Sequence, residues 1–522
     1  MASMRPEGDI RPEIVDDRCR FDKFREANAG FVRGEIGVRE YKGISGRYGS
    51  YAQRGRTKHM VRLRLAGGDI SKERLRFIAD RIARYNVGMV HVTTCQAVQL
   101  HDLSGEQACD LAEEACANGI ITIGGGGDYP RNVTASPLSG VEIGESFDVL
   151  PYAKEAERYL LSMVDEVKLP RKLKVGFSNS VANETHATFR DLGFMAKPNG
   201  TFDVYSAGGL GSEPKMGLLV AEDVDPSETL YCLKAMVEIF VKHGDYNNRA
   251  RARTRYMQDT LGREGYVDAY GEELDAVLAQ GGMDISIDDV SADKRGCGTA
   301  EGKRIRPQKQ DGLYYVSYHP IGGDPAPSKL GEIYNTIRDM PHVGLRTSTD
   351  QTIYVINCTA EEAEKASSIT EDGAETLFES SVSCVGAEIC QQGLRDSRGL
   401  LDELVEMSRR NKFADGVLPR VNISGCGSSC AAHQIGVIGF QGTSVREGGM
   451  SVPAFMVSAD GSHMAGEERF GKSIGKMKEG DIPLFLEDVG KAVSATGREY
   501  RSWFDSCRDA FLEIAGRYVA ED

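Results

Sequence analysis

Apolar and polar residues alternate with period two at Val61, Leu63 and Leu65, with Arg62 and Arg64 between them. A strand here turns one apolar face inward and presents guanidinium groups on the other. The alternation returns at Val98 and Leu100, interleaved with Gln99 and His101. Between the two strands Leu75, Ile78 and Ile82 carry the three-and-four spacing of a buried helical stripe. The pattern predicts strand, Gly-Gly turn, helix, strand, short turn, strand. A lone polar strand face usually meets water, so the site reading rests on Arg62, Gln99 and His101 recurring in one small unit.

The same unit occurs twice. At an offset of 255 residues Gly67, Gly68, Asp69, Leu75, Ile78, Ile82, Thr94 and Gln96 meet Gly322, Gly323, Asp324, Leu330, Ile333, Ile337, Thr349 and Gln351. Two copies of one packed helix would preserve this spacing. A looser repeat follows each copy: LPRKLKVGFSNS from Leu169 resembles LPRVNISGCGSS from Leu418, and both lead to a Gly-Phe pair, Gly193-Phe194 and Gly439-Phe440. The order a-b-a'-b' predicts a pseudo-twofold protein divided as 1–50 (N-terminal arm), 51–125 (first half-domain), 126–290 (first lobe), 291–310 (polar linker), 311–383 (second half-domain) and 384–522 (second lobe).

Length agrees with several units, since 522 residues exceed one hydrophobic core. The 60 glycines stand above the usual ~7% and point to tight turns or close backbone approach to a ligand. A net charge of -15 argues against generic nucleic-acid binding. Locally the balance reverses: from Phe31 to Arg64, Arg33, Arg39, Lys42, Arg47, Arg54, Arg56, Lys58, Arg62 and Arg64 face only Glu35 and Glu40, which predicts an anion held there. Arg249, Arg251, Arg253 and Arg255 form a second cluster, in which a helix would put Arg249 and Arg253 on one face. No apolar run reaches the ~20 residues of a membrane helix, and the start MASMRPEGDIRPEIVDD lacks an apolar signal core, so a cytoplasmic location without membrane contact is expected.

Of twelve cysteines, those at 19, 95, 109, 116, 232, 297, 358 and 507 scatter singly, as small buried hydrophobes do. The others pair as Cys384-x5-Cys390 and Cys426-x3-Cys430. Four thiolates can hold a tetrahedral zinc or an iron-sulfur cluster. The x5 and x3 loops suit the larger 4Fe-4S cube better than tight zinc knuckles do. A protein that uses zinc or a cluster only as a brace, with no catalysis, stays open at this point.

Taken in order, the Gly-Gly unit ending in TT-x-Q, RNV, LPRKxK, Cys-x5-Cys and SGC-x3-C resemble the sulfite and nitrite reductase haemoprotein family, from about Tyr51 into the C-terminal region. The resemblance implies an α+β fold with two ferredoxin-like half-domains and two sirohaem- and cluster-binding lobes. It implies sirohaem and a 4Fe-4S cluster as cofactors, coupled through a shared thiolate, and six-electron reduction of sulfite to sulfide or nitrite to ammonia. Carried over by motif position, Cys384, Cys390, Cys426 and Cys430 hold the cluster, with Cys430 bridging to the sirohaem iron. Arg62, Arg131, Lys172 and Lys174 surround substrate; Gln99, His101 and Arg253, with Arg54 or Arg56 and Arg249, contact sirohaem. Sirohaem carries many carboxylates and the substrate is an oxyanion, which accounts for the basic residues.

The chain departs from the pattern at three places: Cys95 stands where TT-x-Q usually has Arg, Gly427-Ser428 where Pro-Asn is common, and Ala207 at the first Gly of a GGGLG run. The first leaves one carboxylate contact unaccounted for, and the second alters hydrogen bonding beside the cluster. Lys172-x-Lys174 is the form frequent in sulfite-reducing members, and a second ammonium suits a dianion. Sulfite is therefore expected over nitrite. GGGGDYP from Gly124 lacks the helix context of a dinucleotide loop, so electrons are expected from a separate ferredoxin or flavoprotein.

Overall fold

The computed structural model describes residues 21–287 and 294–521. Cys19 and the boundary expected at 290 lie outside the described residues. Four sheets make up the fold. In the first, Ser50–Ala52, His59–Leu63, Val98–Leu103 and Met89–Val92 lie in that order, all antiparallel. The second runs Ile305–Pro307, Tyr314–Tyr318, Ile353–Cys358, Gly344–Thr347 and then Asp69–Ile70, a strand lent by the first half. These two ferredoxin-like half-domains share one core. Helix Lys72–Tyr85 is capped by Ser71, whose side chain accepts from the Arg74 N–H, and is closed by left-handed Asn86. Its Leu75, Ile78 and Ile82 are buried in one cluster with Leu330, Ile333 and Ile337 of helix Lys329–Ile337, the stripes read from the sequence. Each such side chain contributes about 1.5–3 kcal/mol by burial.

Each lobe repeats one five-stranded topology around a core of its own. Thr134–Ala135, Val175–Ser178 and Leu192–Ala196 are parallel, and Phe202–Ser206 and Leu218–Val224 add antiparallel. Val382–Ser383, Val421–Ser424, Ile438–Glu447, Met450–Ala459 and Lys472–Lys478 follow the same order and directions. The matched glutamines clip the duplicate together. Gln96 Nε2 donates to the Ala135 carbonyl (2.8 Å) and its Oε1 accepts from the Ala135 N–H, while Gln351 does the same to Ser383. Each also reaches the opposite half, Gln96 to the Thr347 carbonyl and Gln351 to that of Val92.

Three stretches differ from the sequence expectation. From residue 21 the N-terminal segment forms helices Asp22–Val32 and Val38–Ser45, and Phe24, Phe31, Tyr41 and Tyr48 enter the shared core, so this part is no free arm. The expected linker ends inside a sheet, because Ile305 pairs with Val316. Residues 249–253 are not helical: Asp245 Oδ1 accepts from the N–H groups of Asn247 and Asn248, a side-chain turn that competes with helix continuation. Arg249 and Arg253 therefore share no helix face. Among the described residues no helix is long and apolar enough to cross a membrane.

The duplication sets Glu184 opposite Cys430. Each lies six residues beyond its strand end, Ser178 or Ser424, and left-handed Asn183 and His186 match left-handed Ser429 and Ala432. The backbone anchor is duplicated too: Thr94 Oγ1 donates to the Cys430 carbonyl (2.7 Å) and Thr349 Oγ1 to that of Glu184. Burial, then Asp350 and Glu142, push the Glu184 carboxyl up to about 8 against the pull of Arg420. Between about pH 4.5 and 8 the folded protein keeps a proton that the unfolded chain releases, so stability falls as pH rises through that window. Glu184→Gln is expected to raise Tm by several degrees at pH 8 and to leave it unchanged near pH 4.5. An equal effect at both pH values in a thermal melt would contradict this.

Candidate sirohaem, cluster and oxyanion site

The basic wall of the site begins on paired strands. Arg62 stands directly across from Gln99. With its amide oxygen turned toward Arg62, Gln99 accepts from Arg62 Nε at 2.9 Å and donates to His101 Nε2 at 3.1 Å. His101 is then neutral with its proton on Nδ1, a buried donor that no protein group among the described residues accepts. Burial first, then His91 and Arg62, hold the imidazole well below its ordinary value. Arg64, two residues along the same face, is structural: Nε pairs with Glu157 (2.7 Å) and Nη1 donates to the carbonyls of Ile123 and Pro130.

The glycine run supplies a backbone cradle. Arg62 Nη1 and Arg131 Nη1 both donate to the Gly125 carbonyl, and Arg131 Nη2 donates to that of Gly127 (2.7 Å). A side chain on Gly125 would place its Cβ 2.8 Å from the Thr122 carbonyl, so only glycine lets the loop pack this closely. The Tyr51 hydroxyl accepts from the Gly127 N–H (2.7 Å). Burial would raise that phenol, yet Arg131, the Gly127 N–H and Arg62 prevail and lower it.

Backbone pairing threads Arg131 between the two lysines. Its N–H donates to the carbonyl of Leu173, the residue separating Lys172 from Lys174. Asp191, fully buried, then ties the wall together: it accepts from the Lys174 N–H (2.8 Å) and from Arg253 Nη2 (2.9 and 3.0 Å). Burial, Lys174 and Arg253 hold the Lys172 ammonium well below its ordinary value. Cys95 favours the Lys174 charge, but burial, Arg190 and Arg253 win and lower it as well. Burial, despite Tyr51, brings Arg131 down to about 10. The half-buried Cys95 thiol is pulled the other way, to about 6, because Lys174, Arg190, Arg62 and Lys172 outweigh the desolvation that would raise it.

The second lobe supplies the sulfur floor. Cys384 follows strand Val382–Ser383, and Cys390 ends the turn Gly386–Ile389. The loop from Gly425 to Cys430 follows strand Val421–Ser424. Cys384 Sγ accepts from the Gly425 N–H at 3.2 Å and lies 3.1 Å from Ser397 Oγ, contacts that suit an anionic sulfur. Cys384, Cys390 and Cys430 feel one another's charge, and Cys430 feels Lys172 and Lys174. Cys430 reaches solvent, yet surrounding protein pushes its thiol up to about 12, first through desolvation. A sulfur that meets solvent while standing among Cys384, Cys390, Lys172 and Lys174 has both properties. Among the described residues no three metal-ligating side chains are gathered as tightly as one metal ion needs.

The remaining expected contacts fall elsewhere. Arg54 Nη2 donates to the carbonyls of Gly393 (2.8 Å) and Cys390 (3.3 Å), so it clamps the cysteine loop. Arg56 is exposed. Arg249 joins Arg171 on Asp128, whose carboxyl is lowered by both although burial would raise it. Much of the early basic excess is locally neutralised, since Arg33, Arg47 and Lys58 pair with Glu35, Asp165 and Asp102. Arg190, Asp191 and Tyr51 were missed in sequence, where each stands outside any repeated motif.

The chamber fits a polyanionic cofactor. Arg62, Arg131, Lys172, Lys174, Arg190 and Arg253 gather where Asp191 and Cys95 are the nearby anions. Buried Nε groups of Arg131 and Arg253 and Nδ1 of His101 find no acceptor among the described residues. Cations crowded together at a desolvation cost call for bound anion.

Relatives agree with this chemistry. Residues 51–118 match the nitrite/sulfite reductase ferredoxin-like half domain and residues 126–278 the nitrite and sulphite reductase 4Fe-4S domain. A ferredoxin–nitrite reductase of Synechococcus elongatus is 26% identical over 414 residues, 76% of this chain and 78% of the relative. A sulfite reductase (ferredoxin) 1 of Mycolicibacterium paratuberculosis is 23% identical over 462 residues, 84% of this chain and 79% of the relative. In fold, the chain resembles the solved Mycobacterium tuberculosis NirA protein, with a TM-score of 0.78 and 22% identity across 97% of this chain and 95% of that one. Duplicated fold, cysteine floor and cationic wall thus meet in one conclusion: residues 51–118 and 126–278 are the two domains of the sulfite/nitrite reductase family, whose members are enzymes that use sirohaem and a 4Fe-4S cluster.

Proposed function

We propose that this enzyme reduces sulfite to sulfide, with Cys384, Cys390, Cys426 and Cys430 holding the cluster and Cys430 joining it to the sirohaem iron. When bound, the two groups supply the electron path and an open iron position for the oxyanion. Arg62 and Arg131, fixed by the shared Gly125 carbonyl, orient the anion with little further ordering. Lys172 and Lys174 add the second charge that a dianion needs. Ammonium groups lowered by burial and by neighbouring cations release protons more readily, so their Nζ atoms can give protons to departing oxygen and regain them from solvent. Gln99, His101 and Arg253 hold carboxylates of the macrocycle, while Arg54 keeps the Cys390 loop in place.

The observation that carries sulfite is the half-buried pair Lys172 and Lys174, both close enough to Cys430 to feel its charge. One feature favours nitrite as the alternative: Cys95, drawn toward its thiolate, cancels part of the added charge and returns the chamber toward a monoanion. Comparing kcat/KM for the two anions with one artificial donor decides between them. Sulfite is expected to equal or exceed nitrite, and a several-fold lower value for sulfite would overturn the choice. A ferredoxin is the proposed donor, in keeping with the names of both relatives; a flavoprotein is the alternative.

A further inference from the structure

Arg190 has no place in the motifs that identify the site, yet it stands beside Cys95, Asp191 and Arg253 of the same basic wall. It follows the turn Ala187–Phe189 and precedes strand Leu192–Ala196. Its Nε donates to the Thr185 carbonyl at 2.7 Å, which fixes the plane of the guanidinium, and the guanidinium lies within reach of Cys95, with Asp191 and Arg253 nearby. Only 9% of the residue is exposed. The adjacent acid, Asp191, is already engaged by Arg253, Thr254 and the Lys174 N–H. Among the described residues no carboxylate forms a hydrogen bond with the Arg190 fork, which feels Asp191 only at a distance and otherwise faces the Cys95 thiol.

Position shows which anion is missing. Cys95 occupies the TT-x-Q turn, and the preceding Thr94 holds the carbonyl of Cys430. Arg190 therefore delivers its charge to the Cys95 turn, where the motif itself carries no cation in this chain. The substrate oxyanion already has Arg62, Arg131, Lys172 and Lys174. A rigid planar fork suits a carboxylate, whereas a small oxyanion is equally served by ammonium groups.

We propose that Arg190 binds a carboxylate of sirohaem, replacing from the first lobe the guanidinium that position 95 lacks. The relationship is reciprocal: a small residue at 95 leaves room for Arg190, and Arg190 makes an arginine at 95 unnecessary. This inference rests on the chamber being the sirohaem site.

The test compares wild type, Arg190→Gln and Arg190→Gln/Cys95→Arg. Glutamine keeps a donor for the Thr185 carbonyl while removing the charge. Sirohaem per chain is measured from the extracted macrocycle, and its rate of loss is followed during dilution; acid-labile sulfide reports the cluster separately. Arg190→Gln is expected to lose sirohaem roughly tenfold faster than wild type with unchanged sulfide, and adding Cys95→Arg is expected to restore retention. Wild-type retention in Arg190→Gln overturns the proposal, as does a changed sulfite KM without sirohaem loss. Loss of both cofactors that Cys95→Arg does not repair assigns Arg190 a folding role and also overturns it. Wild-type protein without sirohaem would instead sink the reading of the chamber itself.

Discussion

Cys430→Ser is expected to lower six-electron turnover by more than roughly 10³-fold while the chain still folds. The residue packs by its backbone, held through its carbonyl by Thr94, so exchanging sulfur for oxygen leaves that anchor intact. Its thiol, by contrast, is exposed and stands near enough to Cys384, Cys390 and both lysines to feel their charges. A hydroxyl there is a hard, poorly acidic ligand and cannot replace a soft thiolate between irons. Turnover with an artificial donor checks the effect, and a circular dichroism melt checks the fold. Activity within a few-fold of wild type would remove Cys430 from the proposed electron path.

Lys174→Met is expected to give the second largest loss, about 10²–10³-fold in kcat/KM for sulfite, with cluster iron and sirohaem retained. Methionine keeps the bulk of the side chain, and the Lys174 N–H still bonds Asp191, so the Arg253 anchor survives. The variant removes one cation from a chamber in which Cys95 already opposes another. Nitrite, with a single charge, is expected to suffer less than sulfite. Steady-state kinetics with both anions reads the difference, and equal losses would show that Lys174 does not discriminate by charge.

Much of this arrangement was legible in the sequence, because local pattern and tertiary placement agree there. The stripes Leu75, Ile78, Ile82 and Leu330, Ile333, Ile337 announced the duplicate, since one core buries both helices. Alternation put Arg62 and Arg64 on one strand face but could not separate them. Arg64 is neutralised by Glu157, 93 residues away, and only the fold shows that partner. The same limit hid Arg190, whose meaning depends on Cys95 across the chamber, and Asp191, which joins three elements through one carboxylate. Arg249 and Arg253 were misplaced for a local reason: side-chain turns at Asp245 and Asn248 take backbone donors that a helix would need. The helical step from Phe24 to Phe31 is written in the sequence, but the polar and charged residues around it give the segment a weak apolar stripe.

The account turns on whether the Cys430 sulfur physically connects two iron centres. A Mössbauer spectrum of iron-57-enriched protein, taken with iron, sulfide and zinc analysis, asks this directly. The expected result is about five irons and about four acid-labile sulfides per chain, no stoichiometric zinc, and haem and cluster irons sharing one magnetically coupled unit. Zinc in place of iron, or haem and cluster signals that behave independently of each other, would contradict it.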